Sequence, residues 1–144
     1  MDSTMPGTVF NDDGICNNCT EFPEKAAVHW KPNAEGAQRL EAILAKIKAQ
    51  GAGKDYDCIL GLSGGVDSSF LAFKVKEWGL RPLILHVDGG WNTELAAANI
   101  RRVIDECGYD LVTEVVDWET MKDLQRAYLR AGVSNQDVPQ DHVF

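Results

Sequence analysis

From residue 56 onward the hydrophobic pattern keeps changing period, and this alternation narrows the possible folds more than any other feature. YDCILGL (56–62) is an apolar run of strand length, followed by a helical stretch over 67–78 that stops at Gly79. RPLILHVD (81–88) is a second such run, followed by a helix over 92–107 with Asn92 or Thr93 as cap and Gly108 as stop. YDLVTEVV (109–116) is a third, followed by a helix over 118–131 that ends at Gly132, with Asp117 and Trp118 in its N-cap region. Strands separated by whole helices pair in parallel through crossover connections, since a tight turn cannot bring the chain back in the same direction. The first two runs are apolar nearly throughout, as strands covered on both faces are. The expected class is α/β, a three-layer arrangement with a parallel sheet and three β-α units.

Upstream the organisation differs. Leu40, Ile43, Leu44 and Ile47 recur at helical spacing and predict an amphipathic helix over 33–50, closed by Gly51. Residues 1–32 are rich in Asn, Asp, Gly and Pro and contain Cys16-x-x-Cys19, so they read as an irregular segment with a cysteine knuckle. Residues 132–144 show no period and read as loop. The expected division is an irregular segment over 1–32, a helix and linker over 33–53, and the α/β domain over 54–144.

Fourteen Lys and Arg against 22 Asp and Glu give a net charge of −8. That balance argues against a free-standing nucleic-acid binder, which would carry a basic face. It leaves room for a nucleotide, because backbone N–H groups and a helix end suffice to hold phosphate. No apolar window is long enough to span a membrane, and the N-terminus lacks the basic-then-apolar order of a secretory signal. Four cysteines in 144 residues do not make a disulfide framework. Cys58, inside an apolar run, and Cys107, at a helix end, read as core thiols, and a cytoplasmic compartment fits.

The chemistry concentrates where the first strand meets the first crossover helix, at Ser63-Gly64-Gly65-Val66-Asp67-Ser68-Ser69. In an open parallel sheet, ligands bind beyond the carboxyl ends of the strands, where this loop lies. Two glycines let the backbone turn sharply, successive N–H groups face outward at the positive end of a helix dipole, and Ser63, Ser68 and Ser69 add hydroxyls. Asp67 either caps the helix or holds a cation that accompanies phosphate. The loop is not a Walker A motif, which needs a lysine at its end, since from Ser63 onward none occurs until Lys74, and it is not G-x-G-x-x-G.

S-G-G-x-D-S-S resembles the pyrophosphate loop of the N-type ATP pyrophosphatases, which use ATP to make an adenylate of a carbonyl or amide oxygen and release pyrophosphate. A wider resemblance rests on MDSTMPGTVFNDDGICNNC, HVDGGWNTELAAANI, VVDWETMKDLQRAYLRAGV and VPQDHVF. Together these look like the N-acetyl sugar amidotransferase family, which acts in bacterial surface-polysaccharide biosynthesis. The resemblance implies a flavodoxin-like topology of the adenine-nucleotide-binding (HUP) type. It also implies ATP and Mg2+ as cofactors, a nucleotide-linked N-acetyl sugar as substrate, and a glutaminase partner supplying ammonia. By position, Ser63, Gly64, Gly65, Val66, Asp67, Ser68 and Ser69 would hold the pyrophosphate, and His86, Val87 and Asp88 would lie beside the adenosine. Asp67 and Asp88 would be the catalytic carboxylates, and Asp137, Asp141 and His142 match a later acidic block.

Several of these residues have plainer readings that stay open. Asp88 also suits a turn before two glycines, His86 a satisfied core histidine, and Trp91 either a stacking platform or a loop anchor. Cys16 and Cys19 supply two zinc ligands where a structural site takes four, with His29 at loose spacing as a third. Zinc would then be shared between two chains. The resemblance also leads one to expect strands beyond the third, so the sequence reads as the front part of such a domain, prone to self-association along its first strand. The alternatives are a tRNA-thiolating enzyme of the same superfamily and a non-catalytic nucleotide-binding or assembly module.

Overall fold

The computed structural model describes residue 2 and residues 4–132, so Asp137, Asp141 and His142 lie outside the described residues. Two compact units meet in sequence between Ala45 and Lys46.

In the first unit, Phe10 and Cys16 form an antiparallel bridge across a turn. The Asn11 carboxamide oxygen holds that turn by accepting the N–H groups of Asp13 and Ile15. Helix α1 (Asn17–His29) follows, then α2 (Ala34–Gln50). Helix α1 corrects the irregular reading of residues 1–32. The signal for it was weak for a physical reason. Its large apolar residues, Phe22 and Val28, fall on different faces and make no stripe, and it holds Pro23 in its interior, which removes one ladder donor. The stripe on α2 is present as read, with Leu44 and Ile47 half-buried and Ile43 exposed.

The second unit is the α/β domain. Strands β1 (Cys58–Gly61), β2 (Pro82–Asp88) and β3 (Asp110–Val115) form one parallel sheet in the order β1-β2-β3. Helices α3 (Val66–Glu77), α4 (Glu94–Cys107) and α5 (Trp118–Arg130) follow the strands in turn. The α/β alternation expected from the sequence is therefore present, with β1 shorter than the apolar run 56–62. Pro82 is accommodated because it opens the central strand rather than interrupting it. The loop before β1 is tied to the start of β2 by Arg81, whose guanidinium donates to the carbonyls of Gly51 and Lys54 at 2.9 and 2.6 Å.

Helices α3 and α4 pack on each other, and Ala72, Val75, Ile100 and Val103 are buried together with Leu60 and Ile84 of the sheet. Alternation along β1 and β2 puts Ile59, Leu83 and Leu85 on the opposite face, where Ile59 is exposed. The ends of the helices follow their chemistry. Thr93 Oγ1 caps α4 by accepting the Ala96 N–H at 3.1 Å, and Gly108 closes it in the left-handed region at φ 71°. Asp117 caps α5 through the Thr120 N–H at 2.8 Å, and this bond holds the Asp117 carboxyl below its ordinary range.

Tyr109, just before β3, donates its hydroxyl to the Ala72 carbonyl of α3 at 3.1 Å, and burial pushes the phenol up to about 12. The raised value fixes the sign of the pH effect. The contribution is complete below pH 10, the ordinary phenol range, and disappears as the pH rises toward 12. Tyr109→Phe should cost about 1 kcal/mol at neutral pH, the worth of one such bond, and should remove that alkaline loss. Urea midpoints measured at pH values between neutral and alkaline check both effects. An unchanged alkaline slope in the variant would assign it elsewhere.

Cys58 is half-buried beside Asp57, and burial first, with the Asp57 hydrogen bond second, pushes its thiol up to about 11. Cys107 is buried and its thiol is raised for the same leading reason. Only about 1 in 1,000 Cys58 thiols is then ionised at pH 8, against roughly a quarter of ordinary ones. Iodoacetamide at that pH should leave Cys58 unmodified long after free cysteine has reacted. Peptide mass mapping reads the outcome, and alkylation of Cys58 at the rate of free cysteine would refute its protection.

Candidate functional site

A cavity of about 520 Å³ opens at the carboxyl ends of the strands. Its walls include Leu62, Ser63 and Ser68 from the first loop, His86 and Val87 from β2, and Trp91, Asn92 and Thr93 from the second loop. Val116 and Met121 close it beyond β3. Of the residues predicted to bind nucleotide, Ser63, Ser68, His86 and Val87 line this cavity. Gly64, Gly65, Val66, Asp67, Ser69 and Asp88 are not among its lining residues.

The first loop is built for close approach. Gly64 takes φ 77°, and a Cβ there would lie 2.3 Å from the Ala96 carbonyl oxygen of α4. Asn99 of α4 donates its amide to the Gly64 carbonyl at 3.0 Å, which fixes that peptide from the other side. Gly65 is the N-cap of α3 and, having no side chain, caps nothing. Among the described residues, the N–H groups of Val66, Asp67 and Ser68 in the first turn have no acceptor. These donors sit at the positive end of the α3 dipole.

The hydroxyls hold one another. The Ser63 N–H donates to Ser68 Oγ at 3.3 Å, Ser68 Oγ donates to the Gly65 carbonyl at 3.3 Å, and the two Oγ atoms are 3.1 Å apart. A hydroxyl has one proton, so if Ser68 gives its own to Gly65, the proton between the two oxygens is Ser63's. The N–H groups of Ser63 and Gly65 are engaged by these hydroxyls, those of Val66, Asp67 and Ser68 remain free donors, and each hydroxyl turns to a ligand only by releasing a bond inside the loop. Asp67 is exposed and does not cap α3, since the cap position belongs to Gly65. Its carboxylate remains free to meet a cation that accompanies phosphate, a mode in which Mg2+ takes one or two carboxylates and completes its shell with phosphate oxygens and water.

The second loop is pinned at several points. The Asp88 carboxylate accepts the Gly90 N–H at 2.8 Å, so it makes the turn that the sequence left open beside its catalytic reading. Gly90 takes φ 84° with the Trp118 ring 3.0 Å from where its Cβ would sit. Trp91 meets Trp118 edge to face, with ring centroids 5.6 Å apart, and remains 56% exposed. His86 is buried at 9% exposure and uses both ring nitrogens, Nδ1 with the Leu62 carbonyl at 2.9 Å and Nε2 with the Asn92 amide at 3.0 Å. That is the satisfied core histidine of the plainer reading.

Asn99 and Met121 belong to the site and were not singled out in the sequence. Asn99 had a usable signal, since a weak helix former amid the alanines of 96–98 asks for a reason. Met121 had none, because an apolar residue one turn into an amphipathic helix is ordinary core. Its methyl group lies 3.2 Å from where a Gly89 Cβ would sit, so it backs the second loop.

Cys16 is the buried N-cap residue of α1 and Cys19 is exposed one turn on. The Cys19 backbone N–H, and then the Cys19 thiol, hold the Cys16 thiol below its ordinary range, while the bond to Cys16 raises Cys19. Among the described residues no third His, Cys, Asp or Glu joins the pair, so His29 does not complete a ligand set. Also among the described residues, no helix is long and apolar enough to cross a membrane.

No family model matches the chain, and no curated protein matches it. Among solved structures, it is similar to the NMN synthetase from Francisella tularensis, at 19% identity and a TM-score of 0.46. The match covers 72% of this chain and 41% of that one, so the chain spans less than half of that structure's length.

Proposed function

We propose that the chain binds ATP with its departing pyrophosphate on the 63–69 loop and adenylates an amide oxygen, the activating step of amidotransfer onto an N-acetylated sugar. The observation that carries the binding reading is the row of free N–H groups at Val66, Asp67 and Ser68, beside a cavity at the carboxyl ends of the strands. The choice of reaction and sugar rests on the resemblance of the motif blocks. In this reaction the amide oxygen attacks the α-phosphorus and the bond to pyrophosphate breaks. Ammonia then adds to the activated carbon, and AMP leaves with the oxygen. The loop's N–H groups would stabilise the charge that grows on the leaving pyrophosphate. Asp67 would hold the Mg2+ that travels with the phosphates.

Calorimetric titration with pyrophosphate and with ATP, each with Mg2+, tests the binding step. Charge-assisted hydrogen bonds are worth about 1.5–3 kcal/mol, a roughly 10- to 150-fold change in affinity. Ser63→Ala and Ser68→Ala should fall at the lower end, about 10-fold each. Their hydroxyls exchange an internal bond for a ligand bond, while the N–H groups do not. Wild-type protein that binds neither ligand would overturn the proposal.

A further inference from the structure

We infer that His86 is a positioning residue that ties the phosphate loop to the loop over 88–92, so that a ligand on the first loop sets the second. The inference rests on the proposed pyrophosphate site and adds a route by which its occupancy reaches the rest of the cavity. A carbonyl oxygen only accepts, so the bond to Leu62 requires the proton on Nδ1. Nε2 then carries the lone pair and accepts from the Asn92 amide, which is a donor. Leu62 is the residue directly before Ser63, and Asn92 directly precedes Thr93, the cap of α4.

The circuit closes through α4. Ala96 and Asn99 of that helix seat Gly64 by the close approach and the hydrogen bond already described. Leu62, His86, Asn92, α4 and Gly64 therefore form a ring of contacts with the phosphate loop at one end. Trp91 is Asn92's neighbour and faces the cavity. A pyrophosphate that draws on Ser63, Gly64 or Ser68 pulls on both ends of the ring, and the slack is taken at the loop carrying Trp91. Coupling of this kind is reciprocal, so a group seated against Trp91 would also tighten phosphate binding. With both nitrogens engaged, the imidazole holds the loops rather than exchanging protons with a substrate.

The test uses the full chain, labelled with nitrogen-15 and titrated with inorganic pyrophosphate and Mg2+. The amides of 63–69 should shift, and those of Gly89 and Gly90 and the Trp91 indole should shift with the same half-saturation. In Asn92→Asp, which keeps the shape but replaces the donor with an acceptor, the second set should stop responding. The first set should still shift, at higher pyrophosphate concentration. Asn92→Ala, lacking the amide altogether, should behave alike. Shifts at 63–69 without any at 89–91 in the wild type overturn the inference alone. Unchanged coupling in both variants does the same. Absence of any shift at 63–69 overturns the binding site itself. One measurement on the wild type needs no variant to fold. The imidazole nitrogen resonances of His86 should show the proton on Nδ1, and a proton on Nε2 overturns the tether.

Discussion

Gly64→Ala should abolish pyrophosphate binding and cost about 3 kcal/mol or more of stability, whereas Gly65→Ala, one residue on, should leave the fold nearly intact. At Gly64 two penalties coincide. The backbone sits at φ 77°, and the new methyl would lie 2.3 Å from the backbone oxygen of Ala96, which no side-chain rotation relieves. Left-handed backbone on a residue with a Cβ costs about 1–3 kcal/mol, and forced overpacking about as much again. Relief requires α4 to move away, which breaks the Asn99 bond and turns the Gly64 carbonyl. At Gly65 φ is −75°, and the nearest atom to an added Cβ is Ser63 Oγ at 3.4 Å, an ordinary contact. Its methyl would instead stand beside the free N–H groups and weaken anion binding with little loss of stability. Urea unfolding and pyrophosphate calorimetry on both variants separate the two glycines. Equal destabilisation would mean that α4 does not seat the loop as described.

This contrast also marks what could be read from the sequence. Two glycines in a strand-to-helix turn announce a close approach, and the run 58–60 ahead of them announces a buried strand. Neither says which glycine meets a ligand and which meets a helix some thirty residues later, because that depends on a crossover partner. The β-α alternation was legible because the first two strand runs are apolar, the third is rich in β-branched residues, and each helix is closed by a glycine, at 79, 108 and 132, all with positive φ. Helix α1 was not, since its large apolar residues, Phe22 and Val28, fall on different faces and leave no period to find. Ser63 and Ser68 stood out because hydroxyls beside two glycines at a strand end suit an anion, whereas His86 and Val87 came only from the family resemblance; all four line the cavity. Asn99 and Met121 act from helices across the fold, and only three-dimensional packing joins them to the loops.

The chain should self-associate through β1, and Ile59→Lys with Phe70→Glu should return it to a monomer. Within the described sheet β1 pairs on one side only, and CILG carries neither charge nor proline to discourage a further strand. The other edge, β3, is protected by Asp110 and Glu114. In β1 itself, Ile59 is 71% exposed on the sheet face away from α3. On α3, Val66, Phe70 and Phe73 are 81%, 65% and 48% exposed, at i, i+4 and i+7 of one helix face. Burying a large apolar side chain is worth about 1.5–3 kcal/mol, so removing two anchors should weaken association by roughly two to four orders of magnitude. A net charge of −8 on each copy opposes the contact, and added salt screens that repulsion. Association should therefore strengthen, not weaken, as ionic strength rises, opposite to a contact held by ion pairs. Sedimentation velocity over a range of protein and salt concentrations measures both effects. A wild-type chain that stays monomeric throughout, or one whose oligomers dissolve in salt, would show that this apolar edge is not what joins the copies.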